Sequence, residues 1–353
     1  MPHVLTTGEL LIDFSPVKAP GFPGAIYPNP GGAPANVAVQ LARLGVSAGF
    51  IGKVGADSFG GSLRRCLEDN QVDASGLVSD PDYRTTLAFV HLDENGDRSF
   101  TFYRNPGADT QLRPEEVDPA ALADCRLLHF GSLSLTTEPG KSTTLGLVKR
   151  ARDLGKLISY DPNWRPVLWP SEEAGVAGMA LGLPLCHLLK ISEEELALLT
   201  GTESIAEGVR KLHALGVVLI LVTLGPDGCV SSYHGQLRHH PTFDVTVADT
   251  TGSGDSFWGA FLSQLLQNGI DAPEKLGALD PEALSGFCRF ANAAGSTCAA
   301  KPGGIPAIGD RQAILDCLEH TPQLETGFPL RYGNPFTSSL KALSPRLFPY
   351  PNR

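Results

Sequence analysis

The chain contains no CxxC pair, no HxxxH or HExxH spacing, no GxxxxGK[ST] loop and no repeat of fixed period. A metal cluster built from cysteine and histidine is therefore not expected, nor a P-loop enzyme, nor a repeat array. Apolar runs are short and interrupted, so no membrane-spanning segment is predicted. Basic charge is scarce as well. Lys and Arg number 28 against 38 Asp and Glu, a net charge of −10, which argues against nucleic acid or an anionic membrane as the main partner. The seven cysteines (Cys66, Cys125, Cys186, Cys229, Cys288, Cys298 and Cys317) are an odd number, mostly among apolar neighbours, as free thiols in a reducing cytosol would be. Met1–Leu5 runs straight into a strand-like segment without a basic n-region, so a cytoplasmic location is expected.

The rest is an ordinary soluble composition, 42% hydrophobic and 19% charged over 353 residues, with room for a large core. Leu127–Phe130, Leu157–Tyr160, His187–Ile191 and Val217–Val222 read as buried strands, while Thr143–Leu154, Glu193–Leu199 and Ser204–Leu215 read as helices. That alternation predicts βαβ units and an α/β fold whose mostly parallel sheet is covered on both faces. Two segments break it. Phe14–Pro30 is rich in Pro, Gly and aromatics, and Thr85–Arg104 alternates with period two around Asn95-Gly96, a hairpin signal. Together they predict a small projecting β-sheet. Its apolar face, on which Phe89 and Phe100 are both placed, would need cover from a ligand or a second subunit. The last segment, 321–353, holds five Phe or Tyr residues, and Arg331, Lys341, Arg346 and Arg353 against the single Glu325. It is expected to pack along the acidic body through Phe328, Phe336 and Phe348 and to take no part in chemistry.

The most informative stretch is Asp249-Thr250-Thr251-Gly252-Ser253-Gly254-Asp255-Ser256-Phe257. Val245 and Val247 before it read as a strand, and Phe257, Phe261 and Leu265 after it recur at helical spacing. A glycine turn entering a helix aims free N–H groups at one point, with the helix dipole behind them, and so suits a phosphate. Asp255 at its mouth is placed to take a proton from a hydroxyl that attacks phosphorus; a plain Asp-capped turn would use the same residues. Gly31-Gly32-Ala33-Pro34-Ala35-Asn36 also leads glycines into a helix, with Asn36 in the first turn. Asp13 follows the strand Leu10–Ile12, where α/β sheets keep ligand residues, and with Asn36 resembles a set of sugar-hydroxyl partners. Asp161, Asn163 and Arg165 share a short loop after a strand, suited to polyol or phosphate, or to a simple Pro turn. Ser192-Glu193-Glu194-Glu195 opens a helix, for which acidic residues have a sufficient structural reason in the dipole. Thr223 to Gly228 ends another strand in a tight turn able to accept a nucleotide.

Taken together, these pieces resemble the ribokinase-like (PfkB) sugar kinases over roughly Val4 to His320. GGAPANVAVQLARLG at Gly31–Gly45 is similar to the family's N-terminal signature and DTTGSGDSF at Asp249–Phe257 to its C-terminal one, with Ser253 where Ala is usual. GELLIDFSP, FIGKVGADSFG, FYRNPGAD, HFGSLSL, ISYDPNWR and LVTLGPDGC resemble the fructokinases within it. The resemblance implies a three-layer α/β/α domain over 1–320 with a β-sheet lid from about 13–31 and 85–104, and a separate extension at 321–353. It implies Asp255 as catalytic base and the N–H groups of Gly252, Ser253 and Gly254 as the anion hole. Asp13, Gly31, Gly32 and Asn36 would hold the sugar, with Arg104, Asp161, Asn163 and Arg165 near it. Lys190, Ser192, Thr223, Gly225, Gly228, Asn292, Gly303 and Gly304 would line the ATP site. Glu195 matches a Glu linked indirectly to Mg²⁺, with Ser192 replacing the motif's Asn; main-chain carbonyls of Asp249 and Thr251 would take K⁺. Lids of this kind often pair two subunits, so a homodimer is expected. The implied activity is ATP-dependent phosphorylation of fructose at O6. A 2-keto-3-deoxygluconate or riboside kinase, a non-catalytic sugar sensor and a structural subunit are the rivals.

Overall fold

A computed structural model describes residues 3–16, 24–92 and 98–325. The strands are β1 (Val4–Thr7), β2 (Leu11–Pro16), β3 (Ile26–Gly31), β4 (Ala48–Gly55), β5 (Leu77–Asp80), β6 (Leu87–Leu92), β7 (Arg98–Tyr103), β8 (Leu127–Gly131), β9 (Leu157–Asp161), β10 (Leu188–Ser192), β11 (Leu219–Thr223), β12 (Cys229–Tyr233) and β13 (Gln236–His240). Nine of them form one sheet in the order β13-β12-β11-β10-β9-β8-β1-β4-β5. All its pairings from β11 to β5 are parallel, and β12 and β13 add an antiparallel edge. The pleat explains the layering. Leu127, Leu157, Leu188 and Leu219 join one apolar cluster with the helices Ala33–Arg43, Ser253–Gln267 and Pro281–Ala299. Their neighbours Leu128, Ile158, Leu189 and Ile220 join a second with the helices Gly140–Asp153, Glu193–Thr200 and Ile205–His213. Successive side chains thus feed opposite cores, which is why these strands read as unbroken apolar runs.

The sheet thus lies between two helical layers, a three-layer α/β/α arrangement, and it sets the site. The carboxyl ends of β1, β8, β9, β10 and β11 lie side by side, so the loops after them converge on one edge of the sheet. There β10 and β11 bring Ser192 opposite Thr223. Sequence boundaries and observed ones differ by a few residues: the helix expected at Thr143–Leu154 runs Gly140–Asp153.

The second sheet has the order β3-β2-β6-β7, with β2 and β6 parallel and the outer pairs antiparallel. Its expected turn at Asn95-Gly96 lies outside the described residues. Two expectations need correction. Val245 and Val247 form no strand: Ala248 and Asp249 donate to Ala299 O and Asp244 to Pro322 O, so this segment is tied to a helix end and a loop rather than to a ladder. Phe89 and Phe100 are out of phase: Phe89 pairs with Thr101 and Phe14, whereas Phe100 stands opposite Val90. The start of the last segment returns to the body, where Leu324 N–H donates to Thr242 O and Gln323 bridges Phe243. Phe328, Phe336 and Phe348 lie outside the described residues.

Candidate active site

Glycine builds the floor of the site. Gly252 caps the helix Ser253–Gln267 with φ 78°, a left-handed conformation natural to Gly, and this turns the N–H groups of the first helical turn outward. A Cβ on Gly254 would come 3.1 Å from Lys190 Nζ. The glycine therefore lets an ammonium approach the helix N-terminus, and together they form a cradle for a phosphate. Lys190 reaches it from β10 and is ion-paired to Asp161 at 2.8 Å, at the end of β9. Burial pushes the Lys190 ammonium down, but Asp161, Glu195 and Asp255 more than compensate, so it is raised and stays charged.

Asp255 stands on the first turn of that helix, 8% exposed. Asn36 Nδ2 donates to its Oδ2 at 2.7 Å. Asn36 is held there by its own glycine turn: Gly32, at φ 113°, lies so close to Glu9 that a Cβ would meet the Glu9 carbonyl oxygen at 2.3 Å. Burial raises the Asp255 carboxyl to about 6, with Asp161 pushing the same way, while Lys190, the Asn36 hydrogen bond and Arg165 pull it down. Asp13, on β2 of the small sheet, is raised to about 7, chiefly by burial, against the pull of Arg165. Gly31 pairs with Leu11 on β2 and lies so close to the Asp13 side chain that a Cβ there would meet Oδ2 at 2.2 Å.

Between these groups lies a cavity of about 380 Å³. Of the residues expected from sequence, Asp13, Gly32, Asn36, Asn163, Arg165, Lys190, Ser192, Glu195, Thr251, Gly252, Gly254 and Asp255 line it. Asp161 acts behind the wall through Lys190, and its Oδ1 accepts from Asn163 N. Ser253 contributes backbone to the turn while its Oγ is buried beside the Cys298 thiol. Arg104 is not in the wall. Its guanidinium binds Asp109, Thr136 Oγ1 and the Leu133 carbonyl, bracing the base of the small sheet against the body.

The acidic turn at Ser192 is a capping box. Ser192 Oγ accepts from Glu195 N, and Glu195 Oε2 accepts from Ser192 N. The other Glu195 oxygen accepts from Trp164 N at 2.6 Å, tying the loop after β9 to the helix after β10. Glu194, exposed, faces the cavity from the same turn.

The remaining residues expected at a nucleotide form a second group alongside. Thr223 ends β11, and Gly225 and Gly228 follow with φ 56° and 89°. Gly228 packs on the His240 carbonyl, and Asn292 Nδ2 donates to the same carbonyl at 2.9 Å, so Asn292 supports this turn from behind. Gly303 N donates to Asp249 Oδ2 at 3.1 Å, Thr251 N donates to Asp249 Oδ1 at 2.7 Å, and Gly304 abuts Gly252. The Asp249 carboxylate thus joins the Gly303-Gly304 turn to the glycine turn that begins the helix Ser253–Gln267. Glu9, Leu11, Phe102, Leu133 and Trp164 also line the cavity and were not singled out from sequence. Glu9 offered one signal, a carboxylate in the loop leaving β1, the same kind of position that drew attention to Asp13.

The model of the pfkB family carbohydrate kinases matches residues 1–310. The chain belongs to this family. Among curated relatives, a probable chloroplastic fructokinase-6 of Arabidopsis thaliana is 42% identical over 329 residues, covering 90% of this chain and 82% of its own. Among solved structures, fructokinase of Xylella fastidiosa with bound ATP superposes with a TM-score of 0.83 at 34% identity, over 90% of this chain and 99% of that one. A double mutant of Vibrio cholerae O395 fructokinase, in a fructose-, ADP- and potassium-bound form, gives 0.81 at 33% identity over the same shares. A carbohydrate kinase moves a phosphoryl group to a sugar, a transfer for which N–H donors, an ammonium and a carboxylate are suitable charges.

Proposed function

We propose that this carbohydrate kinase transfers the γ-phosphoryl group of ATP to O6 of D-fructose, with Asp255 as general base. The carrying observation is the juxtaposition of Asp255, the Gly252–Gly254 turn and Lys190 in the wall of one polar cavity. Asn36 holds Oδ2 of Asp255, so Oδ1 takes the proton of the attacking hydroxyl. The new O–P bond forms as the bond from the γ-phosphorus to the bridging oxygen breaks, ADP leaves, and charge on the transferred group faces the Gly252, Ser253 and Gly254 N–H groups and the Lys190 ammonium. The sugar hydroxyls are assigned to Asp13, Asn36, Asn163 and Arg165. The fructokinase identity of the relatives favours fructose over other sugars.

Among the described residues no group of three or more His, Cys, Asp or Glu could hold a metal ion. Both Glu195 oxygens are engaged by backbone N–H groups. A Mg²⁺ ion therefore fits as a companion of the nucleotide phosphates, with Glu195 acting through water, and it would neutralise phosphate charge. The carbonyls of Asp249 and Thr251, on a loop pinned by the Asp249 carboxylate, suit K⁺, and the potassium-bound relative supports this. Two subunits are proposed to pair through the small sheet, whose Tyr27 and Tyr103 are 57% and 65% exposed. No helix among the described residues is long and apolar enough to cross a membrane, and seven free cysteines favour the cytosol.

An ATP-coupled assay over fructose, ribose, glucose, 2-keto-3-deoxygluconate and adenosine tests the substrate. Fructose should give the highest kcat/KM, and NMR of the product should show a 6-phosphate. A higher value for another sugar would replace this assignment.

A further inference from the structure

Glu9 has no part in the mechanism above, yet it lines the same cavity as Asp13 and Asn36 and is 2% exposed. It leaves β1 just before the small sheet begins. One side-chain oxygen, Oε1, accepts from Ala33 N at 2.9 Å, at the start of the helix that carries Asn36. The other, Oε2, is buried and has no partner in the protein. Asn36 Oδ1 is in the same condition. Buried polar oxygens are normally hydrogen-bonded, and each exception asks for a reason. Two such exceptions in one cavity wall, opposite Asp13, are the pattern left by a polyol whose hydroxyls complete them.

We propose that Glu9 Oε2 binds a sugar hydroxyl other than the one phosphorylated, so that Glu9 selects for substrates that carry a hydroxyl at that position. The proposal rests on the sugar-kinase reading above. The charged groups that face Glu9 leave this oxygen free for a ligand. Arg104, from the end of β7, is bound to Asp109, Thr136 and Leu133, and Asp109 is in turn bound to Arg104 and Thr86. Burial pushes the Glu9 carboxyl up to about 7, opposed by the nearby backbone N–H groups of Glu9 and Ala33 and by Arg104. Near neutral pH the group therefore offers Oε2 either as a hydroxyl donor or as an acceptor, and a sugar hydroxyl complements both. An analogue with hydrogen at that carbon complements neither, which is the condition under which a site rejects a deoxy substrate strongly.

The test compares wild type, Glu9→Ala and Glu9→Gln on fructose and on its series of monodeoxy analogues, with kcat and KM measured separately. Glu9→Ala should raise the KM for fructose about tenfold, the scale of one hydrogen bond to a charged or polar partner, with a much smaller change in kcat. One monodeoxy analogue should cost wild type a similar factor and cost Glu9→Ala almost nothing. Glu9→Gln keeps an acceptor for Ala33 N–H and a polar atom at Oε2, so it should recover most of the KM. If Glu9→Ala fails to fold, Glu9→Asp, whose shorter side chain draws the carboxylate back from the cavity, carries the cycle: its penalty for that analogue should be smaller than that of wild type. An analogue penalty in Glu9→Ala or Glu9→Asp equal to that of wild type would overturn the proposal and leave Glu9 as a support for the glycine turn. Should wild type phosphorylate no sugar, the kinase reading itself falls, and this inference falls with it.

Discussion

A general base acts only when ionised, and for Asp255, the base proposed above, the neighbours set where that happens. With the carboxyl raised to about 6, kcat/KM should fall as pH drops through that value, because the acid form cannot accept a proton. Lys190 pulls this carboxyl down. Lys190→Gln should therefore move the acid limb to higher pH as well as lower kcat; a pH–rate profile checks both, and an unmoved limb would detach Lys190 from Asp255. Asp255→Asn should lower kcat by about 10²-fold or more, with melting temperature and sugar affinity nearly unchanged. Turnover near wild type would remove Asp255 as base. These residues were legible in the sequence because backbone context announced them: a glycine turn before a helix limits what an adjacent Asp or Asn can do. Glu9 carried only its place after β1 as a signal, because the feature that sets it apart, an oxygen left unpaired, exists only after folding. For Arg104 and Asn292 the sequence could not show where their donors go: the fold directs them to Asp109, Thr136, Leu133 and two backbone carbonyls.

Among the elements, the two glycine turns are constrained differently, and that separates folding from chemistry. A methyl group on Gly32 would strike the Glu9 backbone, which cannot yield, and Gly32 also holds φ 113°. A methyl group on Gly254 meets only the flexible end of Lys190 at 3.1 Å. Gly32→Ala should thus lower the melting temperature and sugar affinity together. Gly254→Ala should fold almost normally and lose kcat through a displaced ammonium. Thermal melts beside kinetics decide this, and a Gly254→Ala enzyme of full activity would count against the cradle. The parallel strands were readable because both of their faces are buried, leaving short Val/Ile/Leu runs. Val245 and Val247 misled because alternating β-branched residues also suit an extended segment bonded to a helix end, a distinction that only the partner reveals.

Across the whole molecule, the small sheet is the part whose surroundings are least self-sufficient. Phe14 stacks on Phe89, which meets Tyr103, and Phe59 from the body covers one end of this row. Phe89→Asp with Tyr103→Asp should convert dimers to monomers in light scattering and weaken sugar binding. A monomeric wild type, or a dimer untouched by the pair, would sink the lid interface. Phe89 with Phe100, the pairing that sequence alone suggests, would not charge a single face, because strand register puts them out of phase.

Asp13 lies on a strand of this sheet, and the neighbouring strand places Asn29 against Gly303. If the sheet moves as a unit, it reaches both the sugar and the nucleotide sites proposed above. Thermodynamic reciprocity then applies: if nucleotide biases the sheet towards the body and so tightens sugar, sugar must tighten nucleotide by the same factor. A second subunit resting on the sheet would enter the same cycle, making protein concentration a regulator of sugar affinity even though the partner contributes no ligand of its own.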